Sequence, residues 1–279
     1  MLLYVLACAL FGWQQGFDLV AVQRIAVCSV IALGFMVMVF FMARRNKRWD
    51  IIDVAWGLCI TLIAWTHYFL YHGITARWSV GLVTVLLVSV WGVRLSWHIG
   101  QRFIRSKKED ERYVTLRSTW RGSETWNMFL RVYCLQAILA LLCSLPVLYV
   151  TSQVAASWQA LTAIGAMMVV LGISIELVAD WQLAQYLKHA AQPTTFTGGL
   201  WRYSRHPNYF GELVVWWGFA CMALSGPKGW VGLGGALLIT YLIVYVSGVP
   251  LNEQRAVRRP GWAAYARRTN TLIPWFPRR

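Results

Sequence analysis

Seven apolar segments, each close to the roughly 20 residues a helix needs to cross a bilayer, recur along this chain of 279 residues. They cover 24–42, 51–71, 78–99, 128–149, 157–180, 208–225 and 229–250. Hydrophobic residues make up 58% of the chain and charged residues 13%, too few charges to clothe that much apolar surface in water. The expected fold class is therefore all-α: a polytopic membrane protein of seven transmembrane helices with a cytoplasmic C-terminal tail. We take 24–279 as one membrane domain and 1–23 as a short apolar N-terminal arm. The run 2–13 is too short to cross alone and has no basic stretch before it, unlike a cleaved signal peptide. It reads as an interfacial or packing arm, with an eighth crossing as the alternative.

The charges support this topology. The chain has 26 Lys and Arg against 11 Asp and Glu, a net charge of +15. On a soluble protein that excess would suggest nucleic acid. Here 21 of the basic residues fall in the loops 43–50, 100–127 and 181–207 and in the tail after 250. The intervening connectors hold only Arg77 and Lys228. Such asymmetry is the positive-inside pattern, and it puts the long loops and the tail in the cytoplasm. No nucleic-acid partner is expected; the bilayer is the partner. The short connectors suggest a bacterial inner membrane. The cysteines and histidines are scattered, with no CxxC or HExxH, so neither a disulfide nor a metal site is expected.

Ionisable residues inside spans are costly and are functional candidates by default. Following each helix through the bilayer brings Asp53, Arg94, Glu176, Asp180, Glu212 and Glu253 to one depth near the cytoplasmic boundary. Glu176 and Asp180 are four apart and share a helix face. The stretch Gly198–Glu212 is the densest in polar signals. Its Gly198-Gly199 pair allows close backbone approach, and Arg202, Arg205 and His206 precede a helix that opens at Pro207, a combination suited to an anion. In the tail, Trp262, Tyr265, Trp275 and Phe276 interleave with Arg267 and Arg268. This reads either as an interfacial belt or as a lid over a planar polyanion. The mixed charges of 107–113 read as a solvated loop, with docking of Arg112 and Tyr113 as the alternative.

Taken together, Asp53-x-x-Trp56-Gly57, Asp110-x-Arg112-Tyr113, Arg205-His206-Pro207-Asn208-Tyr209-x-Gly211-Glu212 and Tyr265-x-Arg267-Arg268-Thr269-x-x-x-Ile273-Pro274-Trp275-Phe276-Pro277 resemble the DUF1295 membrane proteins of the steroid 5-alpha-reductase superfamily. The resemblance runs from about Asp50 to Pro277. It implies a seven-helix reductase with NADPH in a cytoplasm-facing pocket. The superfamily's cofactor-binding Asn-x-x-x-Asp becomes Glu176-x-x-x-Asp180 here, so Asp180 carries over and Glu176 departs. Gly198, Gly199, Leu200, Trp201, Tyr203, Asn208, Gly211 and Glu212 match a second motif, and Tyr265, Leu272, Ile273, Pro274 and Trp275 a third. The Gln-Glu pair that polarises a steroid carbonyl in animal enzymes is replaced by Asp53 and Trp56.

The expected activity is therefore NADPH-dependent reduction of a carbon–carbon double bond in a small, lipid-like, steroid or enone type substrate. Asp53, Trp56 and Tyr113 are the catalytic candidates, with a protonated Asp53 or Tyr113 as the donor to a carbonyl oxygen. The expected cofactor-binding set is Glu176, Asp180, Arg202, Tyr203, Arg205, His206, Asn208, Tyr209, Glu212, Glu253, Tyr265, Arg267 and Arg268. Arg-His-Pro-x-Tyr also occurs in isoprenylcysteine carboxyl methyltransferases, so an S-adenosylmethionine-dependent membrane methyltransferase is the alternative. A non-enzymatic lipid binder is the third reading. The sequence does not specify an oligomeric state.

Overall fold

The computed structural model describes residues 19–74, 78–106, 108–190 and 194–278; the arm expected at 2–13 lies outside them. Among the described residues all regular structure is helical, apart from one isolated parallel bridge between Ser204 and Asn270. In chain order the helices are α1 (Leu19–Asn46), α2 (Ile51–His72), α3 (Val80–Arg105), α4 (Glu111–Ser118), α5 (Glu124–Cys143), α6 (Leu145–Ser152), α7 (Ala160–His189), α8 (Pro207–Leu224), α9 (Gly232–Tyr241), α10 (Val249–Ala256) and α11 (Trp262–Arg268). A π-helical stretch, Phe129–Cys134, lies within α5, and another, Leu242–Val246, follows α9.

Six helical stretches among the described residues are long and apolar enough to cross a membrane: α1, α2, α3, α5, α7 and the run Gly229–Ala256. The expected segment 208–225 forms α8, an 18-residue helix that is not one of the six. Its first turns carry Pro207, Asn208, Tyr209 and Glu212, and ten of its residues are buried. A helix enclosed by protein can hold polar groups that a lipid-facing helix cannot.

The expected segment 128–149 is two helices. The chain breaks at Ser144, and Pro146 lies in the first turn of α6, where its missing N–H costs no hydrogen bond. Six of the eight residues of α6 are buried, so α6 is an internal plug rather than a lipid-facing wall. The expected loop 100–127, with its solvated stretch 107–113, is corrected as well. Its first turn extends α3, and residues 111–118 form α4, which Asp110 caps by accepting from the Arg112 N–H at 2.9 Å. Tyr113 on α4 is buried in the core.

Candidate active site

Three glycine contacts set the frame on which the polar residues sit. A Cβ at Gly172 on α7 would lie 2.6 Å from the Gly211 carbonyl oxygen on α8, and a Cβ at Gly165 would lie 2.5 Å from that of Gly218. Between α2 and α3, a Cβ at Gly92 would lie 2.6 Å from the Gly57 carbonyl oxygen. The backbones can approach this closely only because no side chain intervenes. Most of these glycines were not among the residues expected from sequence to shape the site. The available signal was spacing: 165 and 172, like 211 and 218, are seven apart and so share a helix face.

The seam brings four of the expected residues together with Arg94. The Arg94 guanidinium forks, Nη1 donating to Glu176 and Nη2 to Asp180. One planar cation thus bridges two carboxylates a turn apart. Asn208 Nδ2 donates to the other Asp180 oxygen at 3.2 Å, and His98 Nδ1 stands 3.5 Å from Asp180. Glu212 accepts from Trp91 Nε1 at 3.1 Å and Trp216 Nε1 at 3.0 Å. Trp91 stands edge-on to Trp56, ring centres 6.2 Å apart. Two buried atoms here, Glu176 Oε1 and Trp56 Nε1, have no hydrogen-bond partner among the described residues. Buried polar atoms are rarely left so, and such exceptions concentrate where a ligand or water completes the set.

The catalytic candidates meet at the start of α2. Tyr113 Oη donates to Asp53 Oδ1 at 2.7 Å, and Arg112 Nη2 donates to Asp53 Oδ2 at 2.5 Å. Both Asp53 oxygens therefore accept in this arrangement, one from each neighbour. Burial, and then the charge of Asp53, raise the Tyr113 phenol well above its ordinary pKa, so it keeps its proton at neutral pH. Arg112 is held in turn by Asp110, which also accepts from Arg255 Nη2 at 2.6 Å. Burial pushes the Asp110 carboxyl up, but bonds from Arg255 and Arg112 outweigh it and hold the group well below the usual carboxylate range. Arg255, on α10, thus ties the C-terminal region to the dyad.

The tail docks on the loop before α8. Ser204 pairs with Asn270, the Arg205 N–H donates to the Asn270 carbonyl at 2.9 Å, and the Trp275 N–H to that of Tyr203 at 3.0 Å. Tyr265 Oη donates to the Trp201 carbonyl at 2.5 Å. Arg205, expected to grip a phosphate, is instead the central strut. Its Nε and Nη2 grip Glu253 at 2.8 and 3.1 Å, Nη1 donates to the carbonyls of Ala266 and Thr269, and Nη2 also reaches Thr271. All five of its N–H groups are engaged within the protein. Burial lowers the His206 pKa, against the raising effect of Glu253, so the ring is neutral at pH 7 rather than a fixed cation. It stacks on Tyr209, whose hydroxyl accepts from Asn252 Nδ2 at 2.5 Å. Arg202, Arg267 and Arg268 differ: all three are exposed, and none makes an ion pair among the described residues.

Arg205→Ala should free the tail. Several charge-assisted bonds, each contributing about 1.5–3 kcal/mol, are lost. Limited proteolysis of the detergent-solubilised protein should then cut within 257–278 at least about tenfold faster, and Arg205→Lys should not restore protection because lysine cannot fork. Unchanged cleavage would mean the tail is held by other contacts.

The sequence-predicted residues thus fall into three groups. Glu176, Asp180, Asn208 and Glu212 converge around Arg94, with Trp56 alongside. Asp53 and Tyr113 form a directly bonded dyad, with Arg112 on the other Asp53 oxygen. Tyr203, Arg205, His206, Tyr209, Glu253 and Tyr265 build the platform that presents Arg202, Arg267 and Arg268. No curated protein and no solved structure matches the chain. A family model does match, over residues 39–269, and that span includes both buried clusters, the loop before α8 and most of the docked tail. The chain belongs to the DUF1295 family, described as proteins of unknown function.

Proposed function

We propose that this protein is an integral-membrane reductase that uses NADPH to saturate a carbon–carbon double bond in a small lipophilic, enone-type substrate. In this reading α8 completes seven crossings, and the site and tail face the cytoplasm of a bacterial inner membrane. The observation that carries it is the conjunction of a buried polar cluster with unpaired atoms, a phenol–carboxylate dyad, and three exposed guanidinium groups with no ion pair among the described residues.

The residues fit such a cofactor. Arg202, Arg267 and Arg268 would hold its phosphates, and Glu176 Oε1, Asn208 and the Trp56 indole N–H offer polar partners to an amide or ribose. When bound, the cofactor supplies the hydride. The remaining work belongs to the chain. Tyr113 turns its hydroxyl from Asp53 to the substrate carbonyl oxygen, where negative charge develops during reduction. Asp53, itself held by Arg112, orients the phenol before that step. The Trp56, Trp91 and Trp216 rings keep the surroundings dry.

Two measurements test this. Mass spectrometry of small molecules released from protein purified in mild detergent should find NADP(H); S-adenosylmethionine or its demethylated product would instead establish the methyltransferase reading. Tyr113→Phe should slow turnover by about a hundredfold, the usual cost of one such donor, with cofactor affinity unchanged. Equal loss of turnover and cofactor affinity would remove Tyr113 from the chemistry.

A further inference from the structure

The other end of the bundle holds a cleft of about 620 Å³, lined by Arg24, Tyr71, Val150, Gln153, Gln159 and Met222 among others. It is separate from the candidate active site. Asp53 and Tyr71 lie 18 residues apart on α2, about 27 Å at the helical rise of 1.5 Å per residue.

The cleft's chemistry is one-sided. Its lining includes one guanidinium, two glutamine amides, two tyrosines and three serines, and no carboxylate among the described residues. The Arg24 guanidinium lies over the Tyr71 ring, 3.8 Å from its centre, and has no ion pair among the described residues. Stacking covers one face of the fork and leaves its N–H edges free to meet a tetrahedral anion. The rest of the lining is apolar, including Val80, Val150 and Met222.

The polar layer beneath is also incomplete. Thr151 donates its hydroxyl proton to the Val147 carbonyl at 2.9 Å. The same hydroxyl oxygen lies 2.7 Å from His67 Nδ1, whose ring carries a second nitrogen, Nε2. That atom, Tyr68 Oη and Thr162 Oγ1 are all buried at this end without partners among the described residues. Tyr71 packs on the His67 ring, centres 4.8 Å apart, so this layer adjoins the cleft wall.

We propose that the cleft is a binding site for a phosphate-bearing anion, supplied as the headgroup of an anionic membrane lipid. A donor-rich mouth over an apolar wall suits an amphiphile whose phosphate meets Arg24 and whose chains leave along the helices. The inference is independent of the proposed reductase chemistry.

The test uses the full chain, delipidated in a non-ionic detergent and followed by thermal unfolding. Phosphatidylglycerol, phosphatidylcholine and inorganic phosphate are titrated separately. Phosphatidylglycerol alone should stabilise, and Arg24→Ala should weaken its apparent affinity at least about tenfold, the worth of one charge-assisted contact. Arg45→Ala, which removes an exposed charge at the opposite end, should leave it unchanged. Gln159→Glu tests the site without emptying it. Residue 159 is the exposed N-cap of α7, where an acid is tolerated, and the new charge should repel the lipid while the protein stays folded. Equal stabilisation by inorganic phosphate would keep the anion site but remove the lipid as its source. Stabilisation by phosphatidylcholine equal to that by phosphatidylglycerol, or equal losses in Arg24→Ala and Arg45→Ala, would overturn the proposal.

Discussion

Arg94→Ala should be the most damaging single substitution in the buried cluster. It leaves Glu176, 1% exposed, and Asp180, 8% exposed, facing each other without their shared cation. Removing one partner from a buried ion pair costs about 3–5 kcal/mol because the remaining charge stays desolvated. Here two charges are stranded, so the variant should fail to elute as a monodisperse species from size exclusion in detergent. Arg94→Lys should recover only part of the loss, since an ammonium cannot span two carboxylates as a planar fork does. Glu176→Gln introduced into Arg94→Ala should recover stability by removing one stranded charge. If Arg94→Ala proves as stable as the parent, the cluster is not a closed ion network, and the cations holding Glu176 and Asp180 lie elsewhere.

Gly172→Val should produce the second largest effect, and of a different kind. Its side chain would start 2.6 Å from the Gly211 carbonyl oxygen and 2.7 Å from the Val215 N–H nitrogen, both backbone atoms that cannot swing aside. Overpacking of this kind costs about 1–3 kcal/mol. Forcing α7 from α8 also pulls Asp180 from Asn208 and opens the contact between Gly211 and the Glu176 side chain. A folded but destabilised protein that has lost any cofactor affinity is the expected result. Gly34→Val is the matched control, because nothing lies within 4 Å of a Cβ there. Equal losses in both variants would show that helix composition, not the close seam, is responsible.

Much of this was readable in the chain. The membrane helices follow from runs of apolar residues about 20 long, a one-dimensional property. The depth at which Asp53, Arg94, Glu176, Asp180 and Glu212 gather also follows, because helix direction and rise set height in a bilayer. What failed was tied to neighbours. Residues 128–149 are mostly apolar, and hydropathy does not register the break that Ser144 and Pro146 impose. The charges of 107–113 resemble a solvated loop until Asp53 and Arg255 are seen to pair with them. Arg205 and Arg202 look alike three residues apart, yet one is consumed by Glu253 and the tail while the other faces solvent.

The division has a physical cause. The sequence by itself determined that the chain resides in a membrane and where most of its long helices run. Each depends on summed transfer free energies along one strand of chain. Only the tertiary structure decided which carboxylate meets which guanidinium, that Asp53 accepts rather than donates, and that the tail is latched to the loop before α8. Those outcomes depend on distances of a few ångströms between residues up to 145 positions apart, set by glycine seams whose role no single helix reveals.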